Sequence, residues 1–198
     1  MDAFTTHVGR AVPLRRSDVD TDQIIPSDWL KRVERTGFGA GLFSEWREDP
    51  AFVLSQERYA GASILLAGQN FGTGSSREHA VWALTDFGFR AVVSERFADI
   101  FRSNSLKGGL LPVQLERGEV EALMALVEAD HTVEVTVDLV ARELRAADLV
   151  AHFPLDDFTR WRLMEGLDDI GLTLLHEQDI SSYEQRRPSR LPSTRPAA

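Results

Sequence analysis

From Gly61 onwards, short apolar runs alternate with apolar stripes at helical spacing, and no other feature restricts the fold of this chain as tightly. The run at residues 62–67 is followed by a glycine-rich turn and then by Ala80, Val81, Leu84 and Phe87, spaced for one face of a helix that stops at Gly88. A second run, residues 91–93, precedes Phe97, Ile100 and Phe101 at helical spacing, then a Gly108-Gly109 stop and a third run at 110–113. Strand and helix in strict alternation predict an α/β domain with parallel strands. Pro112 lacks a ladder donor, so its strand belongs at a sheet edge, or the proline lies near the strand's end. Val120, Leu123, Met124 and Val127 mark a further helix, and Val133, Val135, Val137 and Leu139 alternate as a half-buried strand.

With 198 residues, 43% of them apolar, the chain suffices for one well-buried domain, expected over residues 1–185. Residues 29–41 mix basic side chains with three glycines and hold no period, which predicts a mobile loop. Residues 186–198 carry three prolines among serines and arginines and are expected to form a disordered tail. A helix over 157–165 is expected to bury Phe158 and Trp161.

The chain has no cysteine, so it offers no thiolate for zinc or an iron–sulfur cluster. The five histidines (7, 79, 131, 152 and 176) are scattered without ligand spacing, and no metal site is assigned to them. A formal charge of −9 opposes contact with phosphate backbones and excludes a nucleic-acid partner. The N-terminal residues lack a signal-peptide pattern and no stretch is long and apolar enough to span a membrane, so a cytoplasmic protein is expected. If the ligand is a small anion, a few well-placed arginines must overcome this general field.

Chemistry concentrates in residues 68–79, reading GQNFGTGSSREH between a strand and a helix. Gly72 and Gly74 allow a tight turn with uncovered N–H groups, and the following helix start adds unpaired donors, so the segment predicts an anion pocket. Arg77 suits a carboxylate, which it can hold through two parallel hydrogen bonds. Two other readings compete. Ser75 and Glu78 have the spacing of a capping box, which would make Ser75 an ordinary helix cap. Gly72-x-Gly74 after a strand, with Glu95 about twenty residues on, mimics a dinucleotide fingerprint. Arg77 stands where that fingerprint needs a third glycine, which weighs against it.

Four segments resemble the small-subunit family of 3-isopropylmalate dehydratases, in the aconitase superfamily: DVDTDQIIP at 18–26, the turn at 70–80, the stretch from Phe97 through Asn104 to Val113, and GLDDIGLTL at 166–174. TGFGAGLF at 36–43 is similar to the isopropylmalate branch in particular. The resemblance implies a single swivelling β/β/α domain, as at the C-terminus of aconitases, closing over a four-iron, four-sulfur cluster on a separate large subunit. It implies a hydro-lyase of leucine biosynthesis that interconverts 2- and 3-isopropylmalate and is active only with that partner. A related hydro-lyase for citramalate or homocitrate, or a non-catalytic nucleotide- or anion-binding module, are the alternatives.

By the same resemblance Ser75 matches the catalytic base, Ser76 a second hydroxyl beside it, Arg77 a ligand for a substrate carboxylate, and Asp22 an active-site aspartate. The N–H donors of residues 74–77, Gly74 included, would stabilise a serine anion. Asp18, Asp20 and Asp22 with Pro26 could instead simply build turns. Where tricarboxylate enzymes carry an arginine, counting lands on Val33, with Arg32 just before it; these two are the expected specificity residues facing the variable arm of a hydroxy-dicarboxylate. The four tryptophans (29, 46, 82 and 161) are read as packing anchors, and Asn104 as part of a helix-ending turn.

Overall fold

The computed structural model describes residues 1–31, 36–188 and 190–192. Its strands are β1 (Thr6–Leu14), β2 (Ile64–Ala67), β3 (Ala91–Ser94), β4 (Leu111–Gln114), β5 (Glu134–Asp138), β6 (Glu143–Ala146) and β7 (Leu149–His152). They form one mixed sheet in the order β4-β3-β2-β1-β5-β6-β7. The helices are α1 (Thr21–Ile24), α2 (Glu78–Phe87), α3 (Asp99–Gly108), α4 (Arg117–Ala129), α5 (Asp157–Met164), α6 (Asp169–Leu174) and α7 (Glu177–Arg186). The α/β class read from the alternation is the class observed. Most of the expected tail, residues 189 and 193–198, lies outside the described residues.

β1 joins two halves of different character. Its C-terminal half pairs parallel with β2, Ala11 with Ile64 through Leu14 with Ala67, and β2, β3 and β4 continue in parallel. Its N-terminal half pairs antiparallel with β5, Thr6 with Asp138 through Arg10 with Glu134, and the β5–β6–β7 meander extends that side. This division explains how a strand containing Pro13 can stand in the middle of a sheet. Residues 11–14 are paired on one side only, because β5 has already left β1 at Arg10, so locally Pro13 lies on an edge. Pro112 obeys the same rule in β4, which closes one end of the sheet.

Every residue of β2 and β3 is buried, as befits strands covered on both faces. α2 contributes Ala80, Val81, Ala83 and Leu84 to the core and packs on α3, and α4 turns Val120, Leu123, Met124 and Val127 inward against β1 and β3. Val135 and Val137 point into the core from β5, in the alternation the sequence shows.

Two local expectations fail, the burial of Phe158 and Trp161 and the turn at Asn104. In α5 only Leu163 is buried; Phe158 and Trp161 are 57% and 40% exposed. They lie three residues apart on the outer face and pack on each other at 5.8 Å, while the Leu163 backbone on the inner side accepts from the Phe4 amide. Asn104 sits inside α3, four residues before its end at Gly108, so a helix-ending turn does not account for it. Within residues 29–41, Phe38–Gly41 forms a 3-10 turn docked on α2: Phe38 is buried against His79 and Trp82, and Asp86 accepts from the Gly39 amide. No helix among the described residues is long and apolar enough to cross a membrane.

Candidate functional site

The glycine-serine-arginine turn stands beyond the carboxyl end of β2, beside the carboxyl end of β1. Open α/β sheets bind ligands outside the carboxyl ends of their parallel strands. Two neighbours hold the turn. The chain after β1 pairs with it, Val19 accepting from the Gly72 and Thr73 amides and Thr73 from the Thr21 amide. From the other side Phe71 bridges to Phe97, and Phe71 packs edge-on against Phe101 at 5.2 Å. Gly72 lies at φ +80°, and a Cβ there would sit 2.2 Å from the Phe101 ring, so positive φ and close packing both require glycine. Gly74 lies at φ +86° with ordinary room around it, so its backbone angle alone is the reason.

Beyond Gly74 the helix does not start where a Ser75 cap would place it. α2 begins at Glu78, its N-cap is Arg77, and no side chain caps it. The capping-box reading of Ser75 and Glu78 therefore fails: the turn spends two more residues before the helical angles begin. Ser75 and Ser76 are exposed, and among the described residues neither hydroxyl has a hydrogen-bond partner. Nor, among the described residues, does any protein acceptor engage the amides of Gly74, Ser75, Ser76 or Arg77. Four successive amide donors just ahead of a helix start suit a negative charge. The Ser75 carbonyl, by contrast, is tied down by the Thr21 hydroxyl at 3.0 Å.

The three aspartates separate by what they touch. Asp18, at φ +55°, accepts from the Asn70 side chain at 2.7 Å, and Asp20 caps α1 in a reciprocal capping box with Gln23. Those two build turns. Asp22 instead reaches the guanidinium of Arg77, Nη1 to Oδ1 at 2.5 Å, and the same nitrogen lies 3.4 Å from the Ile25 carbonyl. Arg77 is 15% exposed at its side chain, and among the described residues its Nε and Nη2 have no acceptor. A carboxylate partner on one edge and unused donors on another orient the guanidinium without saturating it. Ser75, Ser76, Arg77, Gly74 and Asp22 are thus brought together.

Arg32 and Val33, the expected specificity residues, lie outside the described residues. His79 packs its ring against Phe38 and Trp82, consistent with a structural part. Trp46 stacks on Phe43 at 5.3 Å, a packing anchor as read. No group of three potential metal ligands occurs among the described residues. Thr21 is the site residue that sequence reasoning passed over: the segment containing it was singled out, but a threonine between two aspartates gives no sign that its hydroxyl reaches across to Ser75.

Comparison with known proteins identifies the family. The aconitase C-terminal domain family matches residues 1–118, a LeuD_N family matches 121–157, and the family of C-terminal domains of the 3-isopropylmalate dehydratase small subunit matches 169–194. The 3-isopropylmalate dehydratase small subunit of Parafrankia sp. is 75% identical over 98% of this chain and 100% of its own length. That of Acidothermus cellulolyticus is 66% identical over 98% and 99%. The crystal structure of 3-isopropylmalate dehydratase from Methanocaldococcus jannaschii superposes with a TM-score of 0.66 at 26% identity, over 90% of this chain and 99% of that one. With relatives this similar over nearly its whole length, the chain belongs to the family of 3-isopropylmalate dehydratase small subunits.

Proposed function

We propose that this chain supplies the proton-transfer half of an isopropylmalate isomerase, acting with a large subunit to interconvert 2-isopropylmalate and 3-isopropylmalate by loss and return of water. The observation that carries the proposal is the state of Ser75: an exposed hydroxyl, released from capping, on a turn whose neighbouring amides have no protein acceptor among the described residues. Ser75 Oγ takes the proton from the carbon next to the one bearing the hydroxyl, and returns it to the other carbon when water adds back. A serine is too weak an acid to be an anion in water, so the donors of residues 74–77 and the start of α2 must hold the charge on Oγ. Arg77, steadied by Asp22, binds a substrate carboxylate with its unused donors, and Ser76 offers a second hydroxyl beside it.

Without a cysteine this chain cannot hold an iron–sulfur cluster, so such a cluster would sit on the large subunit, where it would supply a Lewis acid for the departing hydroxyl. Arg32 and Val33 are the residues that would meet the variable arm of the substrate in this reading, and an apolar contact there suits an isopropyl group. The test is to mix the purified chain, anaerobically, with the cluster-bearing large subunit of the same organism and follow conversion of 2-isopropylmalate. Turnover in the mixture and in neither protein alone is expected. No turnover with a spectroscopically intact cluster would overturn the proposal.

A further inference from the structure

Buried polar side chains are few among the described residues: Thr21, Ser94 and Ser105. Ser105 bonds back to Phe101 in its own helix, and Ser94 bonds to Gly68 and Arg96 at the strand ends. Thr21, 2% exposed, is different, since its hydroxyl crosses to the carbonyl of Ser75 while its amide donates to Thr73. Both of its donors are thus spent on the turn that carries Ser75. Thr21 also lies against Gly74, its Oγ1 3.6 Å from where a Gly74 Cβ would be.

The consequence follows from peptide geometry. The bond between Ser75 and Ser76 is trans and planar, so its C=O and N–H point in opposite directions. A carbonyl held toward buried Thr21 sends the Ser76 N–H away from α1, to the exposed side of the turn. If this peptide turned over, a carbonyl oxygen would face that side and repel negative charge where a donor now attracts it. Resting on the reading of Ser75 as the base, we propose that Thr21 is a positioning residue for the reaction. Its hydroxyl fixes the Ser75–Ser76 peptide with the N–H toward the reacting groups, so that the donor stabilises charge developing on Ser75 Oγ or on the bound carboxylate.

Thr21→Val keeps the shape and removes the donor, and Thr21→Ser keeps the donor. In the assembled enzyme Thr21→Val should lower kcat on the order of a hundredfold with KM changed by less than about threefold, the loss associated with a misdirected oxyanion donor. The acidic limb of its kcat/KM profile should move to higher pH, because an anion that is less stabilised forms at higher pH. Thr21→Ser should restore both. A second readout needs no activity: residual dipolar couplings of the Ser76 amide in the full-length protein, which report the direction of its N–H, should change in Thr21→Val and not in Thr21→Ser. Unchanged kcat in Thr21→Val, equal losses in both variants, or an unchanged Ser76 coupling in Thr21→Val would each overturn the positioning role. Should the wild-type mixture fail to turn over, the reading of Ser75 falls, and the Ser76 coupling by itself decides whether Thr21 sets the peptide.

Discussion

Replacing Ser75 by alanine separates two accounts of the same residue by their opposite effects on stability and rate. Were Ser75 a helix cap, its loss would cost about 1 kcal/mol. In a chain of 198 residues that lowers Tm by roughly 2–4 °C. The loss would also couple to Glu78, since a capping box works as a pair. The structure predicts neither effect. α2 starts at Glu78 with Arg77 as its N-cap, and the exposed Ser75 hydroxyl has no partner among the described residues, so Ser75→Ala removes no hydrogen bond found there. Its stability should stay within about 0.5 kcal/mol of wild type, the range for surface substitutions away from special features. The double variant Ser75→Ala, Glu78→Ala should equal the sum of the singles within about 0.5 kcal/mol. Turnover of the assembled enzyme should nevertheless fall about 10²- to 10⁴-fold, the usual contribution of a positioned base. Urea denaturation of the chain and steady-state rates of the complex supply both numbers. A fall in Tm of several degrees, non-additive with Glu78, and a rate loss no larger than the unfolded fraction would refute the reasoning and return Ser75 to a capping role.

Gly72→Ala and Gly74→Ala both place a side chain at positive φ, about 1–2 kcal/mol each, but only the Gly72 variant also drives its Cβ into Phe101. Urea midpoints should therefore rank wild type above Gly74→Ala above Gly72→Ala, and equal midpoints for the two variants would contradict the packing argument. Asp156 and Asp168 are held below the usual carboxylate range, chiefly by the backbone amides of Thr159 and Gly171 that they cap. Because their folded pKa is depressed, their contribution is complete above the unfolded value of about 3.9 and is lost as pH falls through the folded one. Amide exchange in α5 and α6 should accelerate in that acid range before exchange in β2 and β3 does. Asp168→Asn, which still caps but cannot titrate, should flatten the effect in α6; an unaltered pH dependence there would assign it to other groups.

Where the sequence was legible, one physical pattern dominated locally. β2, β3 and β4 could be read because strands covered on both faces must be continuously apolar, and α2 and α4 because their buried faces repeat at helical spacing. β1 was not legible. Gly9 and Pro13 break its pattern, and both are tolerated for tertiary reasons: Ser63 occupies the space a Gly9 Cβ would need, and Pro13 is paired on one side only. Phe158 and Trp161 misled because helical spacing of apolar residues marks a face without saying what covers it. In the site the glycines, the serines and Arg77 stood out in one short stretch, whereas the link from Thr21 to Ser75 spans 54 residues and leaves no local trace.

The exposure of the turn bears on why such a site would be divided between two chains. Ser75 and Ser76 lie open to solvent, and no acceptor among the described residues engages the amides of residues 74–77. In bulk water a charge 4 Å from its partner gains only about 1 kcal/mol, against roughly four times that at an effective dielectric near 20. The same donors that barely perturb a serine hydroxyl in the open chain can therefore hold an alkoxide once water is excluded, and a second subunit laid over the turn would exclude it. On the proposed function, Ser75 would stay inert until the second subunit covers it. An alkoxide-forming Ser75 in the isolated protein, detected as rapid acylation by an activated ester, would count against it.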